Sequence, residues 1–168
     1  MELWDLYTVD RHKTGRTHLR GTPLPPDGYH LVVHVWIRNH RGEYLMSRRA
    51  ANRPTFPLLW ECVGGSVLAD EDSLTGALRE TMEEVGIALE PSCAELLFTK
   101  IRDSVNGKPC NDIMDVWRFT CDSEPNLSLA TTAEVSEVKW CTPKEVAALL
   151  TSQEAVPTLS YFLEYLER

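Results

Sequence analysis

Four glutamates and one arginine stand close together at spacings that suit a metal-bound diphosphate: Glu71, Arg79, Glu80, Glu83 and Glu84, within GSVLADEDSLTGALRETMEEVGI at 65–87. A helix advances about 100° per residue, so a helix over 73–86 places Glu80, Glu83 and Glu84 within one arc of about 100°. Leu74, Leu78, Thr81 and Val85 project from a neighbouring arc, which lets the same helix pack on a core while its acidic face looks into a cleft. Hard divalent cations take oxygen ligands and keep several waters, so clustered carboxylates that leave positions open for phosphate oxygens are the expected arrangement. Such a cation would also offset the repulsion among the glutamates. Arg79 lies four residues before Glu83 and can pair with it or with Glu71, orienting a carboxylate rather than contacting substrate. An isolated E-x-x-E-E triplet is more often a solvated acidic face, so the weight rests on the whole pattern.

The elements that must position these groups can be read around them. Gly64 and Gly65 allow the backbone to approach a phosphate closely, Asp72 or Ser73 can cap the helix, and Gly86 stands where a helix end favours glycine. Residues 2–7 read as a strand, followed by a polar, turn-rich stretch that makes 1–28 an N-terminal strand and loop arm. The run HLVVHVWIR at 30–38 is apolar and β-branched enough for a central strand; a turn at 39–42 returns it into a second strand at 43–50, as a hairpin. Further strands are expected at 94–103, 113–121 and 137–140. Pro143 opens a helix to 150, and Pro157 opens a last one to 166.

Composition sets bounds. With 168 residues, 43% apolar and 25% charged, the chain can bury one sizeable core, so a single domain over 1–168 is expected. No apolar run approaches 18 residues and no charged-then-apolar leader opens the chain, which predicts no membrane span, no Sec export and a cytoplasmic protein. Cys62, Cys93, Cys110, Cys121 and Cys141 include no C-x-x-C pair and are odd in number, against a zinc site or a disulfide framework. The formal charge of −8 disfavours a nucleic-acid polymer as partner, but is compatible with a small phosphate ester held through metal. A homodimer is compatible with the sequence, as dimers are common among soluble proteins.

The full pattern resembles the box of the Nudix hydrolase family, written G, five residues, E, seven residues, R-E-U-x-E-E-x-G-U, with U a bulky apolar residue. Gly65, Glu71, Arg79, Glu80, Glu83, Glu84, Gly86 and Ile87 fit it; Thr81 departs, standing where the family usually has a large aliphatic residue. The resemblance implies an α/β fold, an α/β/α sandwich with a mixed sheet between helices, in which 64–87 form the loop and helix of the box. It implies a pyrophosphohydrolase acting on a nucleoside diphosphate linked to X, or a related organic diphosphate, by water attack at phosphorus. Mg2+, with Mn2+ as substitute, would be held by Glu80, Glu83, Glu84 and the Gly64 carbonyl. Glu83 or a carboxylate from outside the box would serve as general base. Glu134 and Glu137 are the first candidates from outside, with Asp112 and Asp115 as rivals.

Other candidates lie upstream. Arg48 and Arg49 precede the box on one strand, so alternation sends one of them toward the cleft, where it can bind phosphate bidentately. His30 and His34 share a strand face about 13 Å apart, too far to hold one ion together. The stretch 2–53, with WDLY, YHLVVHVWI and RR, also resembles the branch related to isopentenyl-diphosphate isomerase, in which a histidine of the matching strand binds metal and a cysteine after a tryptophan moves protons; His30 is therefore a substrate-side candidate. The chain departs from the isomerase after Trp60: Gly64 stands at the cysteine position and Cys62 two residues early. Three readings follow: hydrolase, favoured by the complete set of box glutamates; isomerase; and a noncatalytic binding module. Substrate choice falls to the loops 16–28, 53–59 and 105–111, and Trp36, Phe56 and Trp117 are candidates to stack on a base.

Overall fold

The computed structural model describes residues 2–105 and 107–166. Asn106, in one of the loops expected to govern substrate choice, lies outside the described residues.

The run at 30–38 is apolar on both faces because it is covered on both. It forms β3 (His30–Arg38) at the centre of a mixed sheet. Its odd-numbered residues Leu31, Val33, Val35 and Ile37 enter one core; Trp36, with Val32 against it, enters the other. The first core is closed by α1 (Ser73–Val85), through Ala77 and Val85. The second is closed by α2 (Pro143–Thr151) and the C-terminal segment, through Val146, Leu149, Leu159 and Phe162. Helices on both faces of a mixed sheet make the expected α/β/α sandwich.

The hairpin expected from 30–50 forms only in part. Between β3 and β4 (Tyr44–Arg49) the register has the single pair Arg38–Tyr44. Beyond it the two strands separate. Alongside β3 runs β6 (Val63–Ser66), antiparallel from Val35–Val63 to Val32–Ser66. β4 instead pairs with β5 (Trp60–Glu61) and with β9 (Val135–Cys141). The divergence leaves a space between β6 and β4 that faces α1. On its other side β3 runs parallel to β8 (Lys108–Thr120), which pairs antiparallel with β7 (Ala94–Val105) at the sheet edge.

The N-terminal arm is more ordered than a loop: β1 (Leu3–Tyr7) pairs antiparallel with β2 (Lys13–Leu19) as a separate two-stranded ribbon. Arg11 fastens it to the sheet with a fork onto both oxygens of buried Asp115, at 2.6 and 2.5 Å. The last helix expected over 157–166 is broken into a 3₁₀ turn at Pro157–Leu159 and a short α3 (Phe162–Tyr165). Tertiary contact wins over helix continuation here, because the Tyr161 hydroxyl is drawn under the sheet to Trp36 Nε1 at 3.0 Å and His34 Nδ1 at 2.8 Å.

Candidate active site

The acidic helix is capped at both ends as the sequence predicts. Asp72 accepts the Thr75 N–H at 2.7 Å, and Gly86 closes the helix at φ 67° with its N–H on Met82 O. A side chain at Gly86 would be strained by that φ and would overlap the Asn126 carbonyl. This contact matters to the site, because the segment from Asn126 to Thr132 folds over the helix end, with Thr131 and Thr132 N–H groups on the Glu83 carbonyl, and delivers Glu134 to the cleft. Thr81, the departure from the box, is fully buried and donates its hydroxyl to Ala77 O at 2.8 Å, so its polar atom is satisfied within the helix.

Arg79 organises the carboxylates. Its guanidinium forks onto Glu71 at 2.8 and 3.1 Å, reaches Glu80 at 2.9 Å and Glu83 at 3.1 Å, and donates to the Ser66 carbonyl at 2.9 Å. Burial works against its charge, but Glu71 and Glu80 hold it protonated, above its ordinary range. Glu71 in turn accepts the Leu68 N–H at 3.0 Å and fixes the loop before the helix. The close approach of strand to helix requires Gly65, where a Cβ would overlap the Glu80 carboxylate.

The helix, β6 and β4 enclose a cavity of about 120 Å3 that Glu80, Glu83, Glu84, Gly64 and Glu134 all border. Burial pushes the Glu84 carboxyl well up, with Glu61, Glu80 and Glu134 adding to the effect. Burial raises Glu80 too, against the pull of Arg79. Glu84 Oε2 is buried with no hydrogen-bond partner among the described residues, and so is Arg53 Nε in the wall of the same cavity. An unsatisfied acceptor and an unsatisfied donor thus share one small space. Among the described residues no three carboxylate, imidazole or thiol groups close on a point as a complete metal cage does; Arg79 Nη1 stands between Glu80 and Glu83. The donor set still fits a hard divalent cation, as it is made of carboxylate oxygens, one of them orphaned, with sides left open.

The structure separates the remaining candidates. Arg49 faces the cavity, although its donors are engaged by Glu61 at 2.7 and 2.9 Å and by Thr55. Arg48 points away, over the Trp60 ring, and pairs with exposed Glu137 at 3.3 Å. Neither Arg48 nor Glu137 borders the glutamate cavity, because alternation along β4 and its partner β9 turns both outward together. Glu134 does border it and pairs with Arg53 at 2.6 Å. Asp112 and Asp115 are taken up by bidentate pairs with Arg102 and Arg11. His30 is buried against Trp4, with ring centres 4.2 Å apart, and its Nδ1 meets the Asn111 carbonyl, so it borders neither Gly64 nor the glutamates. Trp36 is entirely core, and Trp117 donates to Ser73 Oγ beneath the helix start.

Three groups are not singled out by sequence reasoning: Arg20 and Arg53 in the wall of the cleft, from loops expected to govern substrate choice, and Glu61, which pairs with Arg49 and borders the neighbouring space along β6. Glu61 carries a usable signal, a lone carboxylate inside the apolar run LLWECV, which burial would penalise without a partner. Arg20 and Arg53 sit in polar loops where no periodicity marks them.

Residues 28–162 match the model of the NUDIX domain. This chain belongs to the Nudix hydrolase family. An uncharacterized Nudix hydrolase of Listeria monocytogenes is 35% identical over 158 residues, which cover 94% of this chain and 89% of that protein. The isopentenyl-diphosphate Delta-isomerase of Nocardia farcinica is 29% identical over 143 residues, covering 83% and 79%. The crystal structure of DR0079 from Deinococcus radiodurans superposes with a TM-score of 0.71 at 25% identity, over 92% of each chain. Both resemblances read from the sequence, to the hydrolases and to the isomerase branch, are thus found. As a Nudix hydrolase the chain is an enzyme of diphosphate bonds, and no helix among its described residues is long and apolar enough to cross a membrane.

Proposed function

We propose that this Nudix hydrolase is a divalent-metal-dependent pyrophosphohydrolase that cleaves a small organic diphosphate, either a nucleoside diphosphate linked to X or a related compound, by water attack at phosphorus. The observation that carries the proposal is the gathering of Glu80, Glu83, Glu84 and Glu134 around one cavity behind the box helix, where Glu84 Oε2 and, in the neighbouring Arg53, Nε are buried without a hydrogen-bond partner among the described residues. A buried carboxylate without a partner is costly, and a cation there relieves it; a buried guanidinium N–H without a partner is answered by a phosphate oxygen.

Glu80, Glu83 and Glu84, with the Gly64 carbonyl, would hold Mg2+ or Mn2+. When bound, the cation supplies positive charge that neutralises the diphosphate and acidifies water. Arg79 holds Glu71, Glu80 and Glu83 in fixed orientation and does not touch substrate. Arg53 and, just past the ribbon strand, Arg20 border the cavity and would offer guanidinium N–H groups to phosphate oxygens. Glu83 or Glu134 takes the proton of the attacking water; both border the cavity, which Glu137 does not. Positioning and electrostatics supply most of the acceleration in such a reaction.

The test is product mass and phosphate release across nucleoside diphosphates, triphosphates, sugar nucleotides, dinucleotides and isopentenyl diphosphate, with Mg2+, Mn2+ or chelator. Metal-dependent cleavage at a diphosphate bond that disappears in Glu83→Gln is expected. Conversion of isopentenyl diphosphate to an isomer that keeps both phosphates, with no cleavage elsewhere, would replace the hydrolase reading by the isomerase one. The structure favours the hydrolase: no cysteine stands at Gly64, and the Cys62 thiol is pushed well up by burial and lies against Tyr161.

A further inference from the structure

β6 has a second side. On the sheet face away from α1, Gly64 and Ser66 border a cavity of about 200 Å3 that runs past His34 and Cys62 to Arg102, with Glu61, paired to Arg49, in its wall at the β6 end. A second space of about 200 Å3 shares Arg102 and Thr158 with it and continues to Lys100. The two spaces adjoin at Arg102 and Thr158, beside the turn at Pro157–Leu159, one bordering the strand that flanks the glutamates and the other the edge strand β7.

The far end is built for an anion. Arg102 is only 14% exposed and is held by a bidentate pair with Asp112, through Nε at 2.7 Å and Nη2 at 2.8 Å, which leaves Nη1 without a protein partner among the described residues. Lys100, two residues along the same strand and so on the same face, has no carboxylate partner among the described residues. One paired and one unpaired cation against one carboxylate leave the end positive, in a chain whose formal charge is −8. His34 adds no charge, since burial, with Arg102 near, pushes its pKa down to about 3. The sheet order β6, β3, β8, β7 puts β7 three strand spacings, roughly 14 Å, from β6. Backbones that far apart serve different parts of one ligand. Among the described residues the one large ring in the walls of the two spaces is Tyr161, which is 7% exposed and packed against Trp36 and Phe98, so it offers a purine little open face.

We infer that the group X of the substrate is a small organic moiety ending in an acid, carboxylate or phosphate, which lies in these adjoining spaces and is read by Arg102 and Lys100. The inference rests on the hydrolase reading for the placement of the diphosphate at β6. Arg102 is preorganised by Asp112 to present a fixed N–H pair, and Lys100 at the mouth supplies a mobile charge.

The test uses alkyl methylenediphosphonates, in which a methylene replaces the bridging oxygen so that no turnover intrudes. Hexyl and decyl chains end in methyl, carboxylate or phosphate. Binding is measured by calorimetry with Mg2+ on the full chain, for wild type, Lys100→Met and Arg102→Lys. One acid-ended series is expected to bind about tenfold or more tighter than the methyl-ended one, the scale of one charge-assisted hydrogen bond. That ratio is expected to fall to within about twofold in Lys100→Met or in Arg102→Lys. Lys100→Met leaves the Arg102–Asp112 pair in place, so it decides the matter if Arg102→Lys folds poorly. The tighter of the two acids names the group. Equal or better binding of the methyl-ended compounds at both lengths, or a preference that survives both substitutions, overturns the inference. The separate hydrolysis assay decides the hydrolase reading, so the two can fail independently.

Discussion

The two sides of β6 are built on opposite principles. On the α1 side, carboxylates are gathered against their own interest: Glu84 and Glu80 are pushed up by burial, and Glu84 Oε2 and Arg53 Nε have no partner among the described residues. On the other side the polar groups satisfy one another. Tyr161 joins His34 and Trp36, Asp112 joins Arg102, and His34 is kept neutral. Buried polar atoms in native proteins are nearly always paired, so buried orphans on the α1 side mark where charge and hydrogen bonds from a bound cation and diphosphate would be needed most. The paired side holds the strand and the turn in place and leaves the cationic groups that have no partner among the described residues, Arg102 Nη1 and Lys100, at the end near β7.

The sharpest break between the sides is expected in turnover. Glu134→Gln should lower kcat by about 10²–10⁴, the range of a general base or its immediate support, while Glu137→Gln, three residues on and turned outward with Arg48, should stay within about twofold. Equal losses in a steady-state assay of both variants would remove Glu134 from the cleft chemistry. Arg79→Lys should cost roughly 10² in kcat, because an ammonium cannot hold Glu71, Glu80 and Glu83 in one plane and small misplacements of ligands are expensive. Circular dichroism that stays native while kcat falls would mark Arg79 as a positioning residue.

Stability should distinguish the sides by sign. His34 has a folded pKa of about 3 against an ordinary 6.5, so the unfolded chain binds the extra proton between those values. Its contribution is whole above pH 6.5 and is lost on acidification at about 1.4 kcal/mol per pH unit down to about 3. His34→Gln, which keeps an acceptor for Tyr161, should flatten that slope in urea titrations. Glu84 runs the other way. Its folded pKa lies above the ordinary 4.5, so the folded state binds more protons and the metal-free protein loses stability as pH rises beyond that value. At pH 8 with chelator, Glu84→Gln should be more stable than wild type, because the amide carries no charge for burial to penalise. With Mg2+ the order should reverse, because wild type, with one more carboxylate ligand, gains more binding energy; a thermal melt with and without metal checks both signs.

How much of this was legible in the chain depended on whether a feature was local. The box helix, its caps at Asp72 and Gly86, and the central strand His30–Arg38 are set by periodicity and turn chemistry within a few residues, and they stand as read. The ribbon strand Lys13–Leu19 and the short β5 and β6 are defined by their partners and carry no pattern of their own. The parting of β3 from β4 after one pair is a contest among several strands that no local signal records. The same holds in the site. Glu71, Arg79, Glu80, Glu83 and Glu84 converge because one helix carries most of them, whereas Arg20, Arg53 and Glu134 arrive from a ribbon and two loops whose approach depends on the whole fold. His30 is a substrate-side candidate only through the isomerase resemblance, and the stacked Trp4 gives it a structural setting that sequence spacing does not reveal.

Adjacent arginines provide the finest comparison. Arg48 and Arg49 differ by one residue and by one face of β4, and the consequences should be small for one and not for the other. The Arg48 pair with Glu137 is open to solvent at 39% and 53% exposure, so Arg48→Ala should change stability by under about 1 kcal/mol. Part of that change would be lost packing on Trp60 rather than lost charge, because the guanidinium lies 5.8 Å from the ring centre. Arg49 is 12% exposed and its partner Glu61 is 20% exposed, with a carboxyl already raised by burial. Arg49→Ala removes the charge that opposes that shift, so Glu61 should titrate higher still and bind a proton in the folded state. The variant should therefore be most destabilised at alkaline pH and recover toward acid, and a double variant with Glu61→Gln should recover at all pH. A loss in Arg49→Ala that is flat with pH, or a double variant no better than the single one, would mean that Arg49 acts through its bonds to Thr55 and not through Glu61.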